Sequence, residues 1–236
     1  MGSLFFLSFL LHLVTMKNIA LLVITLFIST CAFSQREKEF QVRASYGLAG
    51  YATLSETKFT AFGFEVSDSD TSGAATQHFN LDLRYDFTNR ITAGIDLKLG
   101  SYIYDPEEDN RGKSNSFVVV GISGEFNLMS REKSRLFLGL GLHRSDLELR
   151  ERDTNAGVVS EAVATYRGRG IKLNLGYSKF FGNSPIGFNV SLGYDSHNFD
   201  LEDYTIDNNP FFANYEGTLQ VRGLDFSMGL VFRIRP

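Results

Sequence analysis

The sequence lacks the residues on which several protein classes depend. Its 236 residues include one cysteine and no tryptophan. A single cysteine excludes both an internal disulfide framework and a cysteine-based zinc site. The net charge is −4, which argues against a nucleic-acid partner bound through a large basic excess. A hydrophobic content of 43% excludes a disordered low-complexity chain, and an all-β chain of this length normally forms one domain.

Long hydrophobic runs are also missing. Leu4–Val14 and Ile19–Ile28 are each about half of the roughly 20 residues that a membrane helix needs. The second run follows Lys17 and precedes the small-x-small site Ala32-Phe33-Ser34, which is the anatomy of a secretory signal. We therefore predict a signal peptide over residues 1–34, with Met16 as the true start, and a mature domain over residues 35–236.

Two alternatives concern this N-terminal segment. It could form a signal anchor or a helical hairpin, or it could be lipidated at Cys31. Thr30 is bulkier than the residue expected before a lipidated cysteine, so cleavage after Ser34 is the preferred interpretation. No later apolar run approaches the length of a membrane helix, which leaves a soluble exported protein or an outer-membrane protein crossing with β-strands.

The mature chain shows apolar and polar residues in alternation, the period of a β-strand with one apolar face. In one segment, Phe79–Phe87, the alternation has no exception, whereas Val119 and Gly124 interrupt it in another. The eight alternating segments are Phe40–Leu48, Phe79–Phe87, Ile91–Leu99, Val118–Leu128, Leu136–Leu142, Ile171–Tyr177, Ile186–Tyr194 and Leu224–Ile234.

The spacers between these segments alternate strictly between long and short, with lengths of 30, 3, 18, 7, 28, 8 and 29 residues. The short spacers carry turn residues such as Asn89 and Gly182. This rhythm is typical of an up-and-down barrel with its long loops at one end and both termini at the other. We predict accessible outer loops near Thr71–Ala75 and Asn208–Asn209, with Arg131–Lys133 at the opposite end.

The composition of the two strand faces distinguishes a membrane barrel from a soluble barrel or sandwich. One face is uniformly apolar, as lipid requires, and we expect aromatic side chains near its ends to form interfacial belts. The other face is rich in glycine, which suits a narrow lumen. The predicted belt residues are Tyr46, Tyr51, Phe79, Phe87, Tyr102, Tyr104, Phe117, Phe181 and Tyr194.

Over Phe40–Ile234 the pattern resembles the small eight-stranded outer-membrane β-barrel family, to which the transmembrane domain of OmpA belongs. The resemblance implies an all-β, eight-stranded, antiparallel, up-and-down transmembrane barrel in the cell outer membrane of a Gram-negative envelope. It also implies lipopolysaccharide and the barrel-assembly machinery as partners. The last strand is similar to the family's C-terminal recognition strand through Phe226, Met228, Leu230 and Phe232, although the chain continues beyond Phe232.

Charged residues on the inner face should pair, because an unpaired charge in a low-dielectric lumen is costly. A balanced network indicates a plug, whereas selective pores tend to carry rings of one sign. We therefore expect no wide porin-like pore, while a narrow or gated path remains open. The predicted lumen cations are Arg43, Arg84, Lys98, Lys172 and Arg233, and the anions are Asp82, Asp86, Asp96, Glu125 and Asp225.

No catalytic, cofactor or metal motif is apparent. Phosphate loops, HExxH helices and GxSxG elbows are absent, and the acidic run Asp105–Asn110 lacks the glycine of a calcium loop. Ser196-His197, with Asp195 and Asp200 nearby, could form a hydrolase site, but we interpret these residues as parts of a polar, acidic fourth loop. The preferred function is structural, adhesive or surface-interacting without catalysis; the alternatives are a narrow channel or carrier for small apolar molecules, and a lipid-modifying enzyme.

Overall fold

The computed structural model describes residues 38–61, 64–104, 115–155, 158–206, 209–210 and 215–234. The predicted signal peptide, Cys31 and the Asp105–Asn110 run lie outside these residues. Within these ranges no helix has the length and hydropathy needed to cross a membrane. The strands are β1 (Phe40–Ala61), β2 (Phe64–Asp86), β3 (Ile91–Tyr104), β4 (Ser116–Ser130), β5 (Ser134–Asn155), β6 (Val158–Phe180), β7 (Ile186–Ile206), β8 (Asn209–Pro210) and β9 (Tyr215–Ile234).

Eight long strands close into a ring in which every neighbour is antiparallel. Each long strand pairs with the next along the chain, and β9 returns to pair with both β7 and β1. Phe40 lies opposite Tyr85 in β2 and Ile234 in β9, so the start of β1 and the end of β9 share one rim. The two-residue β8 extends only the end of β7. The predicted eight-stranded up-and-down barrel is therefore confirmed.

The short turns lie at the rim where β1 starts and β9 ends. At the β2–β3 turn, the Thr88 hydroxyl accepts hydrogen bonds from the backbone N–H groups of Arg90 and Ile91. At the β6–β7 turn, Gly182 has a φ of 58°, a left-handed conformation that glycine adopts without steric cost. These contacts explain why the short spacers could be recognised as turns.

The predicted long outer loops are wrong in extent, because most of their residues continue the strands. Thr71–Ala75, predicted as an accessible loop, belongs to β2 and pairs with Gly50–Leu54 of β1. A 22-residue strand such as β1 is about 70 Å long at ~3.3 Å per residue. With a tilt of ~40° it rises about 55 Å, roughly twice the ~25 Å of an apolar membrane band. The wall therefore extends well beyond that band.

The outer surface near the short turns is an apolar band. Every long strand carries several large apolar side chains there that are at least 37% exposed, including Ile122 at 64% and Leu140 at 58%. Val119 points inward and is 1% exposed, while Gly124 is exposed on the outer face. The strand therefore continues through both positions, with an apolar residue inside and a glycine outside. The band begins near Phe40 and ends at Leu48 on β1 and at Leu142 on β5.

Beyond the band the two faces exchange character. The interior there is an apolar cluster of buried side chains, while the outer face carries polar and charged residues. Three predicted belt residues, Tyr51, Tyr102 and Phe117, are at most 5% exposed inside the barrel, so their assignment to the belts was wrong. The interior cluster comprises Ala49, Tyr51, Ala74, Tyr102, Phe117, Val119, Leu147, Phe199, Leu219 and Val221.

Candidate functional site

The candidate site is the barrel interior, where charged side chains from all eight long strands lie in successive layers between the short-turn rim and the apolar cluster. Strand alternation places every second residue inside, and the network therefore draws on residues far apart in sequence. The interior cations are Arg43, Arg84, Lys98, Arg135, Lys172 and Arg233, and the carboxylates are Glu39, Asp82, Asp86, Asp96, Glu125, Asp195 and Asp225.

The layer at the short-turn rim is centred on Arg135. Its two terminal nitrogens donate to Glu39 Oε2 and Asp86 Oδ2, each at 2.5 Å. Gln41 and Thr92 also donate to Asp86, so both oxygens of this carboxylate accept hydrogen bonds. The sequence prediction included Asp86 but missed Glu39 and Arg135. Both lie one residue before a predicted segment and would have been found by extending the alternation by one position.

The second layer joins two arginines through one carboxylate. Arg43 donates to Glu125 in a two-pronged geometry, with distances of 2.5 and 2.9 Å. Arg84 Nε donates to the same carboxylate at 3.1 Å, and its Nη2 is bound to Asp96 and lies 3.8 Å from Asp82. The Arg43 guanidinium also lies over the Phe137 ring. These contacts bring together half of the predicted lumen charges.

The third layer is built around Lys98. Its ammonium donates to Asp195 at 2.6 Å and to Asp225 at 2.5 Å. Lys172 Nζ lies 3.6 Å from Asp225, and His78 Nε2 lies 3.4 Å from the same oxygen. Asp195 is 1% exposed, so its assignment to an acidic outer loop was wrong: one further step of the alternation beyond Tyr194 places it in the lumen.

Small residues make room for the interior side chains. A Cβ added at Gly121 would lie 2.0 Å from a His143 ring carbon and 2.4 Å from the Leu142 carbonyl oxygen. One added at Gly47 would lie 2.2 Å from His78 Nε2. The remaining cavity among the charged layers has a volume of about 40 Å³, which is space for a few water molecules. The interior is therefore filled rather than open.

The suggested Ser196–His197 pairing does not form. Adjacent strand residues point to opposite faces, so His197 is 1% exposed inside the barrel while Ser196 lies on the outer face. His197 Nδ1 instead lies 2.7 Å from Ser145 Oγ, and its Nε2 is 4.0 Å from Asp195. The Phe117 and Phe199 rings pack against it. Ser145, His197 and Asp195 are each at most 1% exposed, so the described residues enclose this group.

The C-terminal strand is continuous with the barrel wall. Phe226, Met228, Leu230 and Phe232 all lie on the outer face of β9 and are 37–54% exposed. Arg233 points inward, where it lies over the Phe180 ring and donates to the Glu132 carbonyl. Arg233 therefore contributes to the short-turn rim. The role of this strand in assembly remains a prediction.

Comparisons with solved structures give the class of the fold. The outer membrane protein OprG from Pseudomonas aeruginosa is similar with a TM-score of 0.56 and 11% identity, over 86% of this chain and 99% of that chain. The outer membrane protease OmpT from Escherichia coli matches at a TM-score of 0.40 and 11% identity, over 83% and 97% of the two chains. Neisserial surface protein A matches at 0.35 and 10%, over 76% and 95%.

Sequence comparison adds no closer relationship. No protein-family model matches the chain, and no curated protein matches it significantly. The chain has the fold of the small outer-membrane β-barrels, and the similarity to OprG extends over nearly the whole described barrel. At 11% identity this similarity concerns the fold alone.

Proposed function

We propose that this chain is an integral outer-membrane β-barrel with a structural, adhesive or surface-interaction role and no catalytic activity. The observation that carries the proposal is an interior occupied, among the described residues, by paired charges and by the buried apolar cluster above them. A barrel without an open path acts through its outer surface. Lipopolysaccharide, the assembly machinery and an outer binding partner are the partners that this role requires.

The part of the wall beyond the apolar band is the surface on which such a partner would bind. On β5, β6 and β7 it carries cross-strand ion pairs: Arg167 bonds to Asp146 at 3.0 Å and also to Glu202. The hydrogen bond to Asp146 raises the pKa of Arg167 above its usual value. Because paired strands hold these side chains, this surface is more rigid than an unpaired loop would be.

A narrow channel or carrier for small apolar molecules is the alternative function. Its favouring observation is the apolar interior cluster, which could line a binding site for an apolar solute. The cluster is packed, however, with Phe117, Leu147 and Phe199 each 1% exposed. Each long strand is also hydrogen-bonded to both neighbours through the apolar band, which provides no lateral opening between the described strands.

Two full-length variants separate the surface role from transport. The first shortens the outer wall by replacing residues 55–70 with Asn-Gly, since Leu54 and Thr71 are cross-strand partners that a two-residue turn can join. The second, Ser123→Leu, fills the interior cavity that Ser123 lines. Cells lacking the protein would be complemented with each variant, and their attachment to surfaces and to one another would be measured.

A surface role predicts that the shortened variant fails to restore attachment while Ser123→Leu restores it. Transport predicts that Ser123→Leu fails to restore uptake of an apolar solute while the shortened variant restores it. Outer-membrane fractionation of both variants provides the control for assembly. Recovery of the wild-type protein in the soluble periplasmic fraction would contradict the proposal as a whole.

A further inference from the structure

Three arginines mark the outer edge of the apolar band on one side of the barrel. Arg144 follows Leu142 on the outer face of β5, Arg169 follows Ile171 on β6, and Arg222 follows Leu224 on β9. All three side chains are exposed. The equivalent positions on the remaining long strands carry no charge: Gly50, Gln77, Ser101, Ser116 and Ser196.

The strand register brings two of these arginines together. Arg144 and Arg169 are direct cross-strand partners, a pairing in which like charges oppose each other at a Cβ separation of ~5 Å and destabilise the sheet. Arg169 is also opposite Asn198, which is opposite Gln220 on β9. Arg222 donates to that Gln220 side chain at 3.1 Å, so the three arginines belong to one polar patch.

None of the three forms an ion pair with another described residue. Among the described residues, ion pairs at this level involve Arg167, with Asp146 and Glu202, and leave Arg144, Arg169 and Arg222 without a carboxylate partner. A groove of about 630 Å³ lies against the patch, lined by Arg144, Arg167, Gly168, Arg169, Asn198, Asp200 and Glu202. Three arginines and two carboxylates line this groove, so its cations outnumber its anions.

We propose that Arg144, Arg169 and Arg222 form a binding site for the phosphate groups of a phosphorylated lipid in the outer leaflet. This inference rests on the proposed membrane placement, which puts lipid acyl chains against Leu142, Ile171 and Leu224. A lipid seated there would bring its headgroup to the arginines directly above those side chains. Guanidinium forks match phosphate oxygens, and the bonds are charge-assisted.

The ligand must carry both acyl chains and a phosphate group in one molecule. The acyl chains would cover the exposed apolar wall, and the phosphate would neutralise the opposed arginines. Free phosphate would supply only the second feature, and an acidic protein segment would not cover the apolar wall. The site therefore favours a phosphorylated lipid over either.

The test uses the full barrel in detergent micelles, titrated with diphosphorylated lipid A and followed by native mass spectrometry of retained lipid. The test variant carries Arg144→Gln, Arg169→Gln and Arg222→Gln. The matched control carries the same charge loss at the opposite rim through Arg90→Gln, Arg131→Gln and Lys133→Gln, all exposed positions. Dephosphorylated lipid A, phosphatidylglycerol and inorganic phosphate are the comparison ligands.

We expect the test variant to bind diphosphorylated lipid A at least about tenfold more weakly than wild type, with the control variant unchanged. Wild-type binding should weaken at ~1 M salt, where charges are screened within ~3 Å, and should be lost with dephosphorylated lipid A. Equal binding by the two variants, or equal binding of dephosphorylated lipid A, would overturn the proposal, as would equal retention of phosphate alone.

Reconstitution of the same proteins into lipid vesicles, followed by flotation, separates this failure from failure of the proposed function. A barrel that inserts into vesicles and floats with them, but does not discriminate between the lipids, contradicts only the arginine site. A protein that does not insert contradicts the membrane placement and the arginine site together.

Discussion

Replacing Glu125 by glutamine removes the charge that two buried arginines share. The Glu125 side chain is 2% exposed and accepts three hydrogen bonds, two from Arg43 and one from Arg84. In the variant, Arg84 would still have Asp96 as a carboxylate partner. Among the described residues Arg43 would keep a hydrogen bond to the Gln41 side chain, at 3.3 Å, and no carboxylate partner. Breaking a buried ion pair from one side costs about 3–5 kcal/mol, because the remaining charge is left uncompensated. We expect a loss of that size in the free energy of unfolding.

The assay is urea unfolding of the barrel in lipid vesicles, followed by circular dichroism. The matched control is Glu148→Gln, which removes a carboxylate from a partly exposed pair with Arg150 and should cost less than about 1 kcal/mol. The double variant Arg43→Met with Glu125→Gln should be more stable than Glu125→Gln alone, because Arg43 is no longer an orphan charge. A Glu125→Gln variant no less stable than the Glu148→Gln control would refute the reasoning.

Two further predictions test the barrel's faces by the same unfolding assay. Leu140→Arg places a cation in the middle of the apolar band and should cost about 2–4 kcal/mol, whereas Ser101→Arg at the band's edge should cost about 0–1 kcal/mol; equal costs would mean that the band is misplaced. Gly121→Ala should cost about 1–3 kcal/mol through overpacking against His143, whereas Gly50→Ala, which has open space, should change stability by less than about 0.5 kcal/mol. An unaffected Gly121→Ala variant would show that the interior is looser than described.

The strands in the apolar band could be predicted from the sequence, but their continuation beyond it could not. In Phe79–Phe87 lipid on one side and lumen on the other impose a strict alternation of apolar and polar residues. Beyond the band the outer face meets water and the inner face becomes apolar, as at Tyr51 and Leu219. The phase of the pattern therefore reverses, and many of the outward residues are small or polar, so the sequence there reads as a loop.

The charged interior was only partly predictable for a related reason. Alternation identifies which residues point inward, and this was enough to propose Arg84, Lys98 and Glu125. It does not give the partners, because Lys98 meets Asp195, 97 residues away in sequence, only once the barrel closes. Arg135 was missed, and Asp195 and His197 were assigned to an outer loop, because all three lie just outside the segments where the alternation is clear. Closure and register, which the sequence does not encode locally, determine the pairing.

Ion conductance of the wild-type protein in planar lipid bilayers tests the closed lumen most directly. Insertion would first be established by co-flotation with vesicles and by resistance of the band to protease. A lumen filled by paired charges and sealed by the apolar cluster predicts no steady conductance above that of the bare bilayer. A steady conductance with selectivity for cations or anions would contradict the account, because it would require an open path through the Glu125 and Lys98 layers.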